Sequence, residues 1–162
     1  KIGFISIRPM DKALIIATIV FCLLVIIDSL AKTPAPPFIL LLRNLHFHLS
    51  RYTLIAATAL FILALYIGLA RHADVTPYFR RGVYIMVGVM VFEALVGGLM
   101  FLQGLRPAED VHVIYGAATV LALPFFIFVE TTAEKRPAMG SYMWGFALLA
   151  GIIIRCISTG AI

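Results

Sequence analysis

Five apolar runs, each about as long as a bilayer is thick, limit what this chain can become. They lie at about residues 13–31, 44–70, 82–105, 111–130 and 141–158. A helix rises 1.5 Å per residue, so roughly 20 apolar residues cross about 30 Å of hydrocarbon. Lipid offers no hydrogen bonds to the backbone, and a helix satisfies its own amides. Charged residues make up only 13% of the 162, whereas a soluble domain carries about 25%. Too little polar surface is left to coat a water-soluble globule. The expected fold is therefore all-α: one integral membrane domain over residues 1–162 with five transmembrane helices, multi-pass in a cell (inner or plasma) membrane. Links between the later runs are short, so helices one to four are expected to form an antiparallel bundle.

The first run also has features of a secretory signal, with Lys12 before it and Ser29-Leu30-Ala31 near its end. Its length exceeds the typical apolar core of such a signal, about 7–15 residues, and we read it as a retained helix. The net charge of +5 is spread singly or in pairs between the runs. No basic stripe with interleaved aromatics exists to track phosphates, which argues against nucleic acid. Cys22 and Cys156 both fall inside apolar runs, so the sequence offers neither a loop disulfide nor a paired-cysteine metal site. Nothing resembles a hydrolase nucleophile or a phosphate loop. Eight basic residues (Lys1, Arg8, Lys12, Arg71, Arg80, Arg81, Lys135, Arg136) fall on the N-terminal side, against five (Lys32, Arg43, Arg51, Arg106, Arg155) on the other. By the positive-inside rule the N-terminus is cytoplasmic, and the second and fourth helices begin at the outer face.

Three of the four histidines share that outer level. His46 and His48 open the second helix, and His112 opens the fourth. Two imidazoles facing each other across a bundle are the donor set of a six-coordinate haem b. Residues two apart on a helix point about 200° apart, so His46 and His48 cannot both enter one seam. His48 shares a face with Tyr52 and Ile55 and is taken as the inward ligand, paired with His112. His46 is then left for a neighbouring helix or a hydrogen bond behind the ligand, and the opposite choice stays open. Arg51 is placed to meet a haem propionate. Gly116 and the pair Gly97-Gly98 would let a flat macrocycle or a backbone approach. The competing reading is that these are interfacial histidines bonded to water and headgroups, with Arg51 merely reaching the surface.

The stretch Phe92-Glu93-Ala94-Leu95-Val96-Gly97-Gly98-Leu99-Met100-Phe101, followed by Gly104-Leu105-Arg106-Pro107 and then His112, resembles one half of the haem A synthase family. That family has a Gly-Gly helix, a short outer loop and a His opening the next helix, with a partner His opening the second helix of the same four-helix bundle. The resemblance has clear motif matches over about 25 residues and does not reach the fifth helix. The family places a Glu three residues before its first His and an Arg immediately after it, where this chain has Leu45 and Leu49. The resemblance therefore implies a haem-binding bundle more than a haem-modifying enzyme.

Glu93 lies halfway along the third helix, where a charge costs at least about 2.5–3.5 kcal/mol on insertion scales. It is a candidate proton or quinone site, or else a neutral carboxyl bonded to backbone, Tyr84 or Gln103. Asp28 and Arg155 could pair if their helix ends meet. Pro124 removes a backbone bond within the fourth helix. Trp144, Tyr142, Tyr78 and Tyr84 read as interfacial anchors, and His72 as a loop residue. The expected function is a small b-type cytochrome-like subunit of a respiratory or photosynthetic electron-transfer complex, binding one haem b near the outer face. Its partners would be the lipid bilayer, other membrane subunits of a redox complex and a quinone. The alternatives are a cofactor-free accessory subunit of such a complex and, least favoured, a haem-modifying enzyme. Catalysis by the chain alone is not expected.

Overall fold

The computed structural model describes residues 20, 23, 24, 27, 38–132 and 138–160. Four long helices follow one another. Helix α1 is Phe38–Leu65 and continues as a π-helical turn, Tyr66–Ala70; α2 is Pro77–Leu102, α3 Val111–Thr132 and α4 Ala138–Gly160. All four are long and apolar enough to cross a membrane. The shortest spans have 22 residues, about 33 Å at 1.5 Å per residue. The protein is a multi-pass, all-α membrane protein. Of the first apolar run, Val20, Leu23, Leu24 and Ile27 are helical and exposed; the rest of that run, Asp28 included, lies outside the described residues. The expected Asp28–Arg155 pair lies outside them too.

Three helices start earlier than the apolar runs suggest, α4 by three residues and α1 and α2 by more. Helix α1 begins at Phe38, directly after Pro37, because Arg43 and Asn44 are carried inside the helix rather than before it. Helix α2 begins at Pro77, with proline at a first-turn position and the Thr76 hydroxyl accepting from the Phe79 N–H at 3.2 Å. This is a local N-cap signal that outranks the charges of Arg80 and Arg81. Helix α2 stops at Leu102, short of the expected residue 105, where Gly104 turns the chain at φ +87°.

By packing, the chain divides into Lys1–Leu45 and His46–Ile162, and every contact described below belongs to the second unit. Its core is apolar: Ala57 and Ala64 of α1, Val83 and Met90 of α2, Leu123 of α3, and Phe146 and Leu149 of α4 are all buried. Helix α3 packs most extensively against α4. At Gly145 the Phe126 ring comes so near that an added Cβ would lie 3.1 Å from it. Large side chains such as Ile114, Leu102 and Trp144 are exposed, as suits a surface wetted by lipid.

Polar groups tie three helices near the start of α2. Arg80 pairs with Glu130 of α3, and the Tyr142 hydroxyl of α4 donates to the same carboxylate at 2.5 Å. Tyr142 was expected as an interfacial anchor, but it is fully buried, with Phe79 edge-on to its ring at 5.6 Å. The expectation failed because Glu130 supplies an acceptor inside the bundle, so the hydroxyl has no need of water. Trp144, Tyr78 and Tyr84 are exposed. Asp74 fixes the start of α4 from a distance, accepting from the Val75 N–H at 2.8 Å and the Met139 N–H at 3.3 Å. His72, beside it in the loop, is exposed and left-handed, with φ 47°.

Candidate functional site

Near the starts of α1 and α3, polar side chains from four helices meet. His46 of α1 and His112 of α3 stand with ring centroids 6.2 Å apart and planes at 77°. Each ring occupies a recess at a glycine. A Cβ on Gly97 of α2 would lie 3.2 Å from Cε1 of His46, and one on Gly160 of α4 would collide with the His112 ring. Any larger residue at either position forces an imidazole aside.

The two rings differ in what holds them. The His112 Nδ1 lies 2.9 Å from the Cys156 carbonyl, with the Cys156 thiol 3.6 Å from the same nitrogen. Since a carbonyl only accepts, Nδ1 carries the proton, and in the neutral ring Nε2 keeps its lone pair. His46 touches the backbone carbonyl of Glu93, one turn before Gly97 on α2. Its Nδ1 is nevertheless buried without a hydrogen-bond partner. The Glu93 carboxyl lies beside Thr53 of α1, whose hydroxyl already donates to the Leu49 carbonyl at 2.8 Å. Glu93 is only 9% exposed, and its Oε2 also has no partner.

The ring that meets His112 is therefore His46, not His48. The sequence correctly allows only one of them into the seam; Gly97 decides which, because the recess it leaves lies opposite residue 46. His48 instead packs along its own helix, 5.3 Å from the Phe47 ring and stacked on Tyr52 at 6.5 Å. Arg51 also stays on its own helix. Its Nη1 donates to the Phe47 carbonyl at 2.8 Å, and the guanidinium lies 3.3 Å above the Phe47 ring. A Cβ on Gly116 or on Gly98 would meet nothing within 4 Å, so neither marks a close approach. Gly116 uses its carbonyl to accept from Thr119 at 2.7 Å. Glu93 meets Thr53 rather than Tyr84 or Gln103.

Thr53, Cys156 and Gly160 escaped sequence reasoning. Thr53 had a signal, since it lies two turns from His46 on one face of α1. Cys156 and Gly160 had none, because nothing in the fifth run indicates which helix it packs against.

Among the described residues, no three or more His, Cys, Asp or Glu side chains are grouped to hold a metal ion. The imidazole pair can act differently. Metal–nitrogen bonds of about 2.0–2.1 Å on both sides of one ion put the ring centres roughly 6 Å apart. The observed 6.2 Å is compatible with that spacing, and also with ordinary edge-to-face packing. The chain matches no family model, no curated protein and no solved structure.

Proposed function

We propose that this protein is a b-type cytochrome-like membrane subunit that holds one haem b between His46 and His112. The observation that carries the reading is the pair itself: two imidazoles from different helices, 6.2 Å apart, inside a membrane bundle. The surrounding chemistry fits the group. One ring has its Nδ1 committed to a carbonyl, which fixes the tautomer and leaves Nε2 as donor. The other carries a buried nitrogen with no partner in the protein. Gly97 and Gly160 fix where the rings stand. Haem b would supply a one-electron couple at this level of the bundle. The chain's own residues would set the tautomers, hold the ring orientation and surround the pair with low-dielectric side chains.

Five antiparallel helices, a cytoplasmic N-terminus and a cell-membrane location belong to this proposal, and they put the pair near the outer face. So do partnership with other subunits of a redox complex and exchange of electrons with a quinol there. The exposed apolar faces of α2 and α3 suit lipid or such neighbours. A second reading, the cofactor-free accessory subunit, is favoured by the same glycine recesses. Rings that fill them act as packing joints whether or not iron lies between.

The reduced-minus-oxidised absorbance spectrum of the purified protein separates the two. A low-spin α-band is expected, abolished by His46→Ala and by His112→Ala separately and retained in His48→Ala. A colourless preparation from haem-replete membranes would overturn the haem reading in favour of the accessory one.

A further inference from the structure

A cleft of about 530 Å³ opens where α1 ends, roughly 30 Å along that helix from His46 at 1.5 Å per residue. The π-helical turn lines it at Gly68, the following loop at His72 and Asp74, and the first turns of α4 at Met139 and Met143. The two methionines are four residues apart, so both thioethers lie on one face of α4. Gly68 leaves room for them: a Cβ there would stand 2.6 Å from Cε of Met143 and 2.9 Å from Cγ of Met139. The loop is held just as firmly. The amide groups of Arg71 and Ala73, on either side of His72, donate to the Tyr66 and Ile67 carbonyls of the π turn, both at 3.0 Å. Asp74 fastens the loop to α4 by accepting from the Met139 N–H at 3.3 Å. Between these bonds His72 is kept left-handed at φ 47°, the one non-glycine residue so placed among the described residues. Such a backbone is uncommon outside glycine, and strained positions of this kind cluster at functional sites.

We propose that this cleft binds a soft monovalent metal ion, Cu(I), through the thioethers of Met139 and Met143 and the imidazole of His72. The donor chemistry selects the ion. Thioethers are neutral and polarisable, and together with imidazole they favour Cu(I) over hard cations. Zinc instead takes thiolate, imidazole or carboxylate, and no group of three such side chains exists among the described residues. His72 is exposed and Met143 half-buried, so an ion can reach them from outside the bundle. Three rotatable bonds in each methionine let the sulfurs close on it. The Asp74 carboxylate lines the same cleft and offsets the positive charge. The site is separate from the histidine pair and stands whether or not that pair holds haem.

The test titrates the full chain in nanodiscs with Cu(I), under anaerobic conditions, against a chromophoric Cu(I) chelator. The wild type should withdraw one equivalent and show sulfur neighbours in the X-ray absorption fine structure of the bound copper. His72→Asn and Met143→Leu should each weaken binding at least about 10–100-fold, because losing a ligand costs no less than losing a partner behind one. Met139→Leu/Met143→Leu should abolish it, and leucine conserves the volume of methionine at the buried position. His72→Asn changes only an exposed loop side chain and tolerates the left-handed backbone, so it decides the matter even if the double variant does not fold. Zn(II) should not compete. Wild-type affinity in folded His72→Asn and Met143→Leu would overturn the proposal, as would equal uptake of Zn(II). Copper lost in His46→Ala but retained in the double methionine variant would place the ion at the imidazole pair and overturn it too.

Discussion

Arg80, Glu130 and Tyr142 close on one another near one end of α2. Towards the other end, His46 and Glu93 each keep a buried polar atom without a partner. Both clusters join helices inside an apolar bundle, yet only the first is satisfied by the protein alone. A complete network rigidifies the fold, whereas an incomplete one costs free energy unless something else completes it. The contrast separates a structural tie from a site.

Four substitutions bear on that contrast. The largest effect on stability is expected for Glu130→Leu, which strands both Tyr142 and Arg80. Two hydrogen bonds within a membrane bundle are worth up to about 1.7 kcal/mol each, so a loss of about 2–3 kcal/mol should appear in unfolding by steric trapping. The charge of Arg80 adds little, since its side chain is 46% exposed. Next comes Gly97→Val, whose side chain enters the space of the His46 ring. It should cost about 1–3 kcal/mol by overpacking and broaden or abolish the α-band. Tyr142→Phe removes one bond of the tie and should lower stability by about 0.6–1.7 kcal/mol while leaving the visible spectrum alone. Glu93→Leu should be the mildest for the fold, within about 0.5 kcal/mol or slightly stabilising, because it removes an unsatisfied acceptor. Should Glu93→Leu destabilise the apoprotein as much as Glu130→Leu, the two clusters would be equivalent and the distinction would collapse.

Much of the architecture is legible in the sequence because hydropathy acts over whole segments. The runs at 44–70, 82–105, 111–130 and 141–158 correspond to helices Phe38–Ala70, Pro77–Leu102, Val111–Thr132 and Met139–Gly160. Their ends moved where a local signal outweighed the average, as with Thr76-Pro77 at the start of α2. The site was only half legible. His112 was singled out, and the exclusion of His46 and His48 from a common seam follows from helical geometry alone. Arg51 and Gly116 were assigned roles that spacing permits, but each is occupied on its own helix.

The amino-acid sequence alone determined that this chain lives in lipid, that it does so as helices, and that histidines gather at one level of them. Each of these depends on composition and period along a single segment. Which histidine points inward, what the buried tyrosine bonds to and which glycines matter were decided only by tertiary structure. Gly97, Gly160, Glu130 and Cys156 exert their effects across helix interfaces. A side chain's partner on another helix depends on how the helices are turned against one another, and no periodicity within one helix contains that angle.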